Sequence, residues 1–146
     1  MNASDNAAAE LRHRAREQAV QWLYQWEVGG LHLDDVFDAG RQVDLRAHDE
    51  DRDRVAEEIV RGTAERLAEI DPLIAEAAAN WRLERIAVID RLILRLATYE
   101  LLAMPGTPHA VIINEALELA RTFSTEDAVK FVNGVLDGIR KKVREA

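Results

Sequence analysis

The stretch Trp81–Met104, WRLERIAVIDRLILRLATYELLAM, decides the fold class. Its apolar residues Ile86, Ile89, Leu92, Ile93, Leu96, Tyr99, Leu101 and Leu102 recur at intervals of three and four. That spacing follows the helical turn of about 3.6 residues rather than the two-residue alternation of a strand. The apolar band is broad enough to predict a largely buried helix, which needs other helices to cover it.

The flanking sequence supplies them. Upstream, helix one is expected from about Ala8 to Val28, stopped by Gly29-Gly30, with Leu11, Ala15, Ala19, Trp22, Leu23 and Trp26 on one face. A short helix over Leu33–Ala39, a connection over Gly40–Asp49 and an amphipathic helix over Asp51–Ile70 follow. Asp71-Pro72 reads as an N-cap and first-turn proline that opens a further helix through Asn80. Downstream, Met104–Pro108 is a loop, Val111–Thr122 a helix, and Thr125 caps a last helix over Glu126–Val143. The expected fold is all-α, about seven helices in two small packed bundles. A change of character near Asn80-Trp81 divides a sub-bundle of about residues 8–80 from one of about 81–146, with residues 1–7 outside the ordered fold.

Composition narrows function. The chain has 146 residues, a net charge of -8 and no cysteine, which excludes disulfides and thiolate metal sites. The start MNASDNAAAE has no basic region followed by an apolar core, so it is no signal peptide, and no apolar run is long enough for a bilayer. A cytoplasmic location is expected. Enzyme signatures are missing: there is no phosphate-binding glycine loop, nucleophile elbow or Cys–His set. The acidic run HDEDRDR, residues 48–54, lacks the glycine and terminal glutamate of a calcium loop and reads as a solvated helix start. His13, His32, His48 and His109 show no ligand spacing, and Glu115 with Glu118 reads as a structural pair. No catalytic residue, metal or cofactor is expected.

Two features stand out against the acidity. Arg12, Arg14 and Arg16 sit at the head of helix one, where the positive end of the helix dipole costs a cation a few tenths of a kcal/mol. They either pair with carboxylates such as Glu10 and Glu17 and lie over the apolar edge, or meet nucleic-acid phosphates, which the guanidinium fork matches. A second basic cluster is Arg140, Lys141, Lys142 and Arg144. The other feature is TEDAVKFVNGVLDGIRKK, residues 125–142: Gly134 falls mid-helix, where glycine costs about 1 kcal/mol against alanine. Close approach of another helix, with Asn133 bonded across to it, is one explanation.

Three blocks in order, RHRAREQAVQWLYQWE (12–27), DRLILRLATYELL (90–102) and VIINEALELARTFSTEDAVKFVNGVLDGI (111–139), resemble the NusB family of bacterial transcription antitermination factors. The resemblance covers nearly the whole chain and is weakest over Gly40–Asp49 and after Lys141. It implies an all-helical fold without enzymatic activity. It also implies binding of boxA, a single-stranded RNA element of ribosomal RNA operons, together with the ribosomal protein NusE. The pair would join RNA polymerase and other Nus factors to suppress termination and promote ribosomal RNA transcription.

Carried over by position, the resemblance implies RNA contacts at Arg12, Arg14, Arg16, Tyr24, Asp127, Lys130 and Phe131. Phe131 would be a stacking ring and Asp127 a charge that tempers RNA affinity. His13 stands where relatives can have arginine. The resemblance also implies NusE contacts at Tyr24, Tyr99 and Glu100, the last two on an exposed edge. Monomer and homodimer are both compatible with it. Two other readings share the fold: the N-terminal domain of ribosomal RNA cytosine methyltransferases, whose catalytic domain is not in this sequence, and a helical scaffold that binds protein alone.

Overall fold

The computed structural model describes residues 2–43 and 49–144. His48 and Asp44 lie outside them. Among the described residues are seven α-helices, one short 3-10 turn and no strand. The helices are α1 (Ala3–Glu27), α2 (Leu33–Val43), α3 (Glu50–Glu65), α4 (Leu67–Ala77), α5 (Val88–Ala103), α6 (His109–Phe123) and α7 (Glu126–Arg144), with the 3-10 turn at Leu83–Arg85. They form two compact units, residues 1–61 and 62–146. The division falls within α3, upstream of the change of character near Asn80-Trp81.

In the first unit α1 packs on α2. Ala15, Ala19, Trp22 and Leu23 of α1 are buried, as are Val36 and Phe37 of α2, with the Trp22 and Phe37 rings edge-on at 5.0 Å. Gly40 is required at this contact. A Cβ there would lie 2.6 Å from the Trp22 indole nitrogen. Gly30 turns the chain after α1 with φ +67, the left-handed region that glycine enters freely.

Helix α1 begins at Ala3, five residues before the expected start and within the segment expected outside the fold. Asn2 is the reason: its side chain accepts from the Asp5 backbone N–H at 2.8 Å, and the alanines that follow propagate the helix. This moves the arginines away from the helix end. Arg12 is the tenth residue of α1, beyond the first turn to which the dipole effect is confined.

In the second unit α5 is the central element, packed against α4, α6 and α7. Leu92, Ile93, Leu94, Leu96, Ala97, Thr98 and Leu101 are buried on it, so it is covered on nearly all sides. The charged residues it buries are accommodated: Arg95 donates to both oxygens of Asp71 at 2.9 and 3.0 Å, and Asp90 accepts from the Ser124 hydroxyl at 2.7 Å.

Three expectations change here. The boundary between α3 and α4 falls at Arg66, and Pro72 lies inside α4. Asp71 is engaged with Arg95 rather than capping a helix. The 81–104 stretch is not one helix: Ile86 and Ala87 are extended, and the Arg91 guanidinium donates to the carbonyls of Leu83 and Ile86 before α5 starts at Val88. Finally, Gly134 is exposed with nothing within 4 Å of where a Cβ would stand, and Asn133 is exposed too. The glycine that faces another helix is Gly138, 3.5 Å from the Ala77 Cβ.

Candidate nucleic-acid interface

The fold uses the arginines of α1 unequally. Arg16 falls one residue after buried Ala15 and is itself only 3% exposed, engaged inside the fold. Arg14 reaches Asp49 at 2.9 Å, with Glu10 at 4.0 Å. Asp49 is also the cap of α3, accepting from the Arg52 backbone N–H at 3.0 Å. That bond first, and the Arg14 guanidinium after it, hold the Asp49 carboxyl below its ordinary value, against the opposing effect of burial. Arg14 therefore ties α1 to the start of α3. Arg12 is exposed. His13 lies 3.6 Å from Glu17. Of the three arginines read as an RNA-binding group, Arg12 presents its charge to solvent, Arg14 is shared with the fold and Arg16 is interior. Further along α1, Tyr24 is 39% exposed, followed by exposed Val28 and Leu31.

The C-terminal basic cluster is also occupied by the fold. Arg140 and Lys141 pair with Asp137, Lys142 pairs with Glu76, and Arg144 donates to the carbonyls of Glu100, Leu101, Met104 and Thr107. Asp137 is held below the ordinary carboxylate range by the Arg140 hydrogen bond first and the Lys141 bond second.

The start of α7 is different. Thr125 caps it, its hydroxyl accepting from the Ala128 N–H at 3.1 Å, as the sequence predicts. The cap leaves Asp127 and Lys130 exposed and Phe131 half-buried. Trp81 meets the Phe131 ring edge-to-face, centroids 6.4 Å apart and planes inclined at 73°. On one side Trp81, Arg85, Asp90, Asp127 and Phe131 line a hollow of about 410 Å³. On another, Trp81, Asn80, Lys130, Phe131 and Gly134 line one of about 290 Å³. Trp81 was absent from the residues singled out in the sequence. The available signal was that it falls outside the three-and-four apolar repeat beginning at Ile86.

Tyr99 and Glu100 stand on α5 and line neither hollow. Tyr99 is half-buried, its ring pressed on Gly62, where a Cβ would come within 2.3 Å. Glu100 is 2% exposed, so the exposed edge expected at this position is interior. No group of three or more His, Cys, Asp or Glu residues among those described could hold a metal, and no described helix is long and apolar enough to cross a membrane.

A helical protein with a capped helix that displays a cation and a ring beside an open hollow has the outline of a nucleic-acid-binding factor. The NusB family model matches residues 13–141. A Transcription antitermination protein NusB of Solibacter usitatus is 46% identical over 134 residues, 92% of this chain and 91% of that protein. One of Exiguobacterium is 44% identical over 131 residues, 90% of this chain and 98% of its own. Among solved structures, T. maritima NusB superposes with a TM-score of 0.81 at 38% identity, covering 92% of this chain and 93% of that one. A NusB–NusE complex with double-stranded RNA gives a TM-score of 0.81 at 26% identity, over 91% and 98% of the two chains. The chain belongs to the NusB family, and as a member it is a transcription antitermination factor rather than an enzyme.

Proposed function

We propose that this chain binds single-stranded boxA RNA of ribosomal RNA operons together with NusE, and that the pair joins RNA polymerase and other Nus factors in the cytoplasm to promote ribosomal RNA transcription. The observation that carries the reading is the start of α7, where Lys130 and Phe131 are presented beside open space in an otherwise acidic protein. A cation for phosphate and a ring face for a base are the two elements of single-strand binding. Arg12 on α1 adds an exposed cation. The similarity to a NusB that was solved with NusE and double-stranded RNA supports NusE and RNA as partner classes, and the single-stranded form rests on the ring and cation alone.

The roles differ by residue. Lys130 and Arg12 serve phosphates, and Phe131 serves a base. Asp127 repels the strand and limits affinity. Tyr24, with the exposed apolar residues after it, serves NusE, and half-buried Tyr99 of α5 is a separate contact for NusE. Arg14 and Arg16 act mainly by fixing α1. A boxA pull-down with and without NusE, against a scrambled RNA, tests the reading. Preferential capture of boxA, raised by NusE, is the expected result; equal capture of boxA and scrambled RNA would favour a protein-only scaffold.

A further inference from the structure

Trp81 is a large aromatic residue left 54% exposed, in the segment where the chain leaves α4 and has not yet entered α5. A ring in such a place is usually covered, because burying an aromatic residue is strongly favourable. Here its contact with Phe131 is edge-to-face, and both rings border both hollows. The surroundings are mixed: Ile86, Ala87 and Ala128 give the larger hollow apolar walls, Asp127 adds a carboxylate, and cations stand at the edges. Arg85 and Lys130 are exposed cations, while Asn80 and Asp90 place hydrogen-bonding groups at the hollows' margins. Gly134 contributes no side chain to the smaller hollow, which keeps it open. Rings interleaved with cations form the surface that unpaired nucleotides occupy. A protein partner's apolar side chains would leave these charges unmatched.

We propose that Trp81 is a second base-stacking ring of this surface. Trp81 and Phe131 each hold one unpaired base, with Arg85 and Lys130 at the adjoining phosphates. The inference rests on the RNA-binding reading above and extends it by one residue and one consequence. Because the ring planes are inclined at 73°, bases lying flat on them are inclined by a similar angle. Neighbouring bases of a duplex are nearly parallel, so only a single strand with splayed bases satisfies both rings. The pair thus selects single-stranded RNA by geometry, without reading its sequence.

The test uses boxA RNA as a single strand and as a duplex with its complement. Single-stranded RNA should quench the tryptophan emission of the full chain, and Trp81→Phe should remove most of that quench while retaining most of the affinity. Trp81→Ala should weaken single-strand binding by about 5- to 150-fold, the range for loss of one stacked base. Its slope of log K against log salt should not change, because no phosphate contact is lost. Duplex binding should not change either. An unaltered circular dichroism melt shows that Trp81→Ala is folded; if it is not, the quench in Trp81→Phe decides. Wild-type affinity in Trp81→Ala, or an undiminished quench in Trp81→Phe, with Arg12→Ala still weakening binding, overturns the stacking role alone. If Arg12→Ala, Lys130→Ala and Trp81→Ala all bind as wild type does, the RNA-binding reading itself fails.

Discussion

On α1, three arginines follow one another at two-residue intervals, and the fold takes in two of them: Arg16 is interior and Arg14 holds the cap of α3. At the start of α7, one lysine and one phenylalanine stand in an ordinary amphipathic pattern; the lysine is exposed and the phenylalanine half-buried beside open space. The region that looked richer in binding residues gives up more of them to stability. A cation is informative about binding only when its own protein leaves it unpaired, and a helix that already carries carboxylates and a core edge competes for it. Rings are the reverse case: Trp81 stays 54% exposed while Trp22 and Phe37 are taken into the core, which leaves its ring open to a ligand.

This contrast can be broken by substitution, and Arg16→Ala is the strongest attempt. Removing a buried charged side chain leaves the group it engages in the fold without its partner, which costs about 1–3 kcal/mol. Its melting temperature should fall clearly, while Arg12→Ala melts like wild type and loses RNA affinity instead. If Arg16→Ala melts normally and binds RNA poorly, the assignment of the two arginines is reversed.

Gly62 of α3 and Gly134 of α7 differ in the same way. Gly62→Ala drives a Cβ into the Tyr99 ring and should destabilise by about 1–3 kcal/mol, the usual cost of overpacking. Gly134→Ala meets open space and should stabilise α7 by about 0.5–1 kcal/mol through helix propensity. Denaturant midpoints for the two variants give the signs directly.

A smaller effect is expected from Asp127→Asn. The carboxylate lies in the first turn of α7, where the dipole favours it by about 0.3–1 kcal/mol. Its loss should lower stability slightly and tighten RNA binding, most at low salt, where screening is weakest. Weaker binding at every salt concentration would show that Asp127 accepts a bond from the RNA.

The smallest effect concerns pH. Asp49 has a folded value below 3.8, so its bonds with Arg52 and Arg14 stabilise above that pH and are lost as pH falls through the lowered value. Arg14 is partly exposed, so the pair is worth only about 0.2–1 kcal/mol. The melting difference between wild type and Arg14→Ala should be present near neutrality and vanish in strong acid.

Much of the fold was legible because it rests on periodicity. The buried face of α5, the glycine stop after α1 and the Thr125 cap each follow from a local rule that tertiary packing did not override. The misreadings share a cause: a residue with two uses. Asp71 can cap a helix or pair with an arginine, and buried Arg95 claimed it. Arg91 can continue a helical surface or cap carbonyls, and its bonds to Leu83 and Ile86 accompany the break before α5. Gly134 can pack or lie open. On the proposed binding surface, Lys130 and Phe131 are named by family resemblance, whereas the burial of Arg16 and Glu100 and the exposure of Trp81 depend on what the rest of the chain places around them.

The most direct measurement is the salt dependence of boxA RNA affinity for wild type, Arg12→Ala and Phe131→Ala. An exposed phosphate-binding arginine and a half-buried stacking ring predict different losses. Arg12→Ala should reduce the magnitude of the slope of log K against log salt by about 0.7, one phosphate contact on a single strand. Phe131→Ala should keep the wild-type slope and lower affinity by about 5- to 150-fold at every salt concentration. Wild-type slope and affinity in both variants would contradict the account.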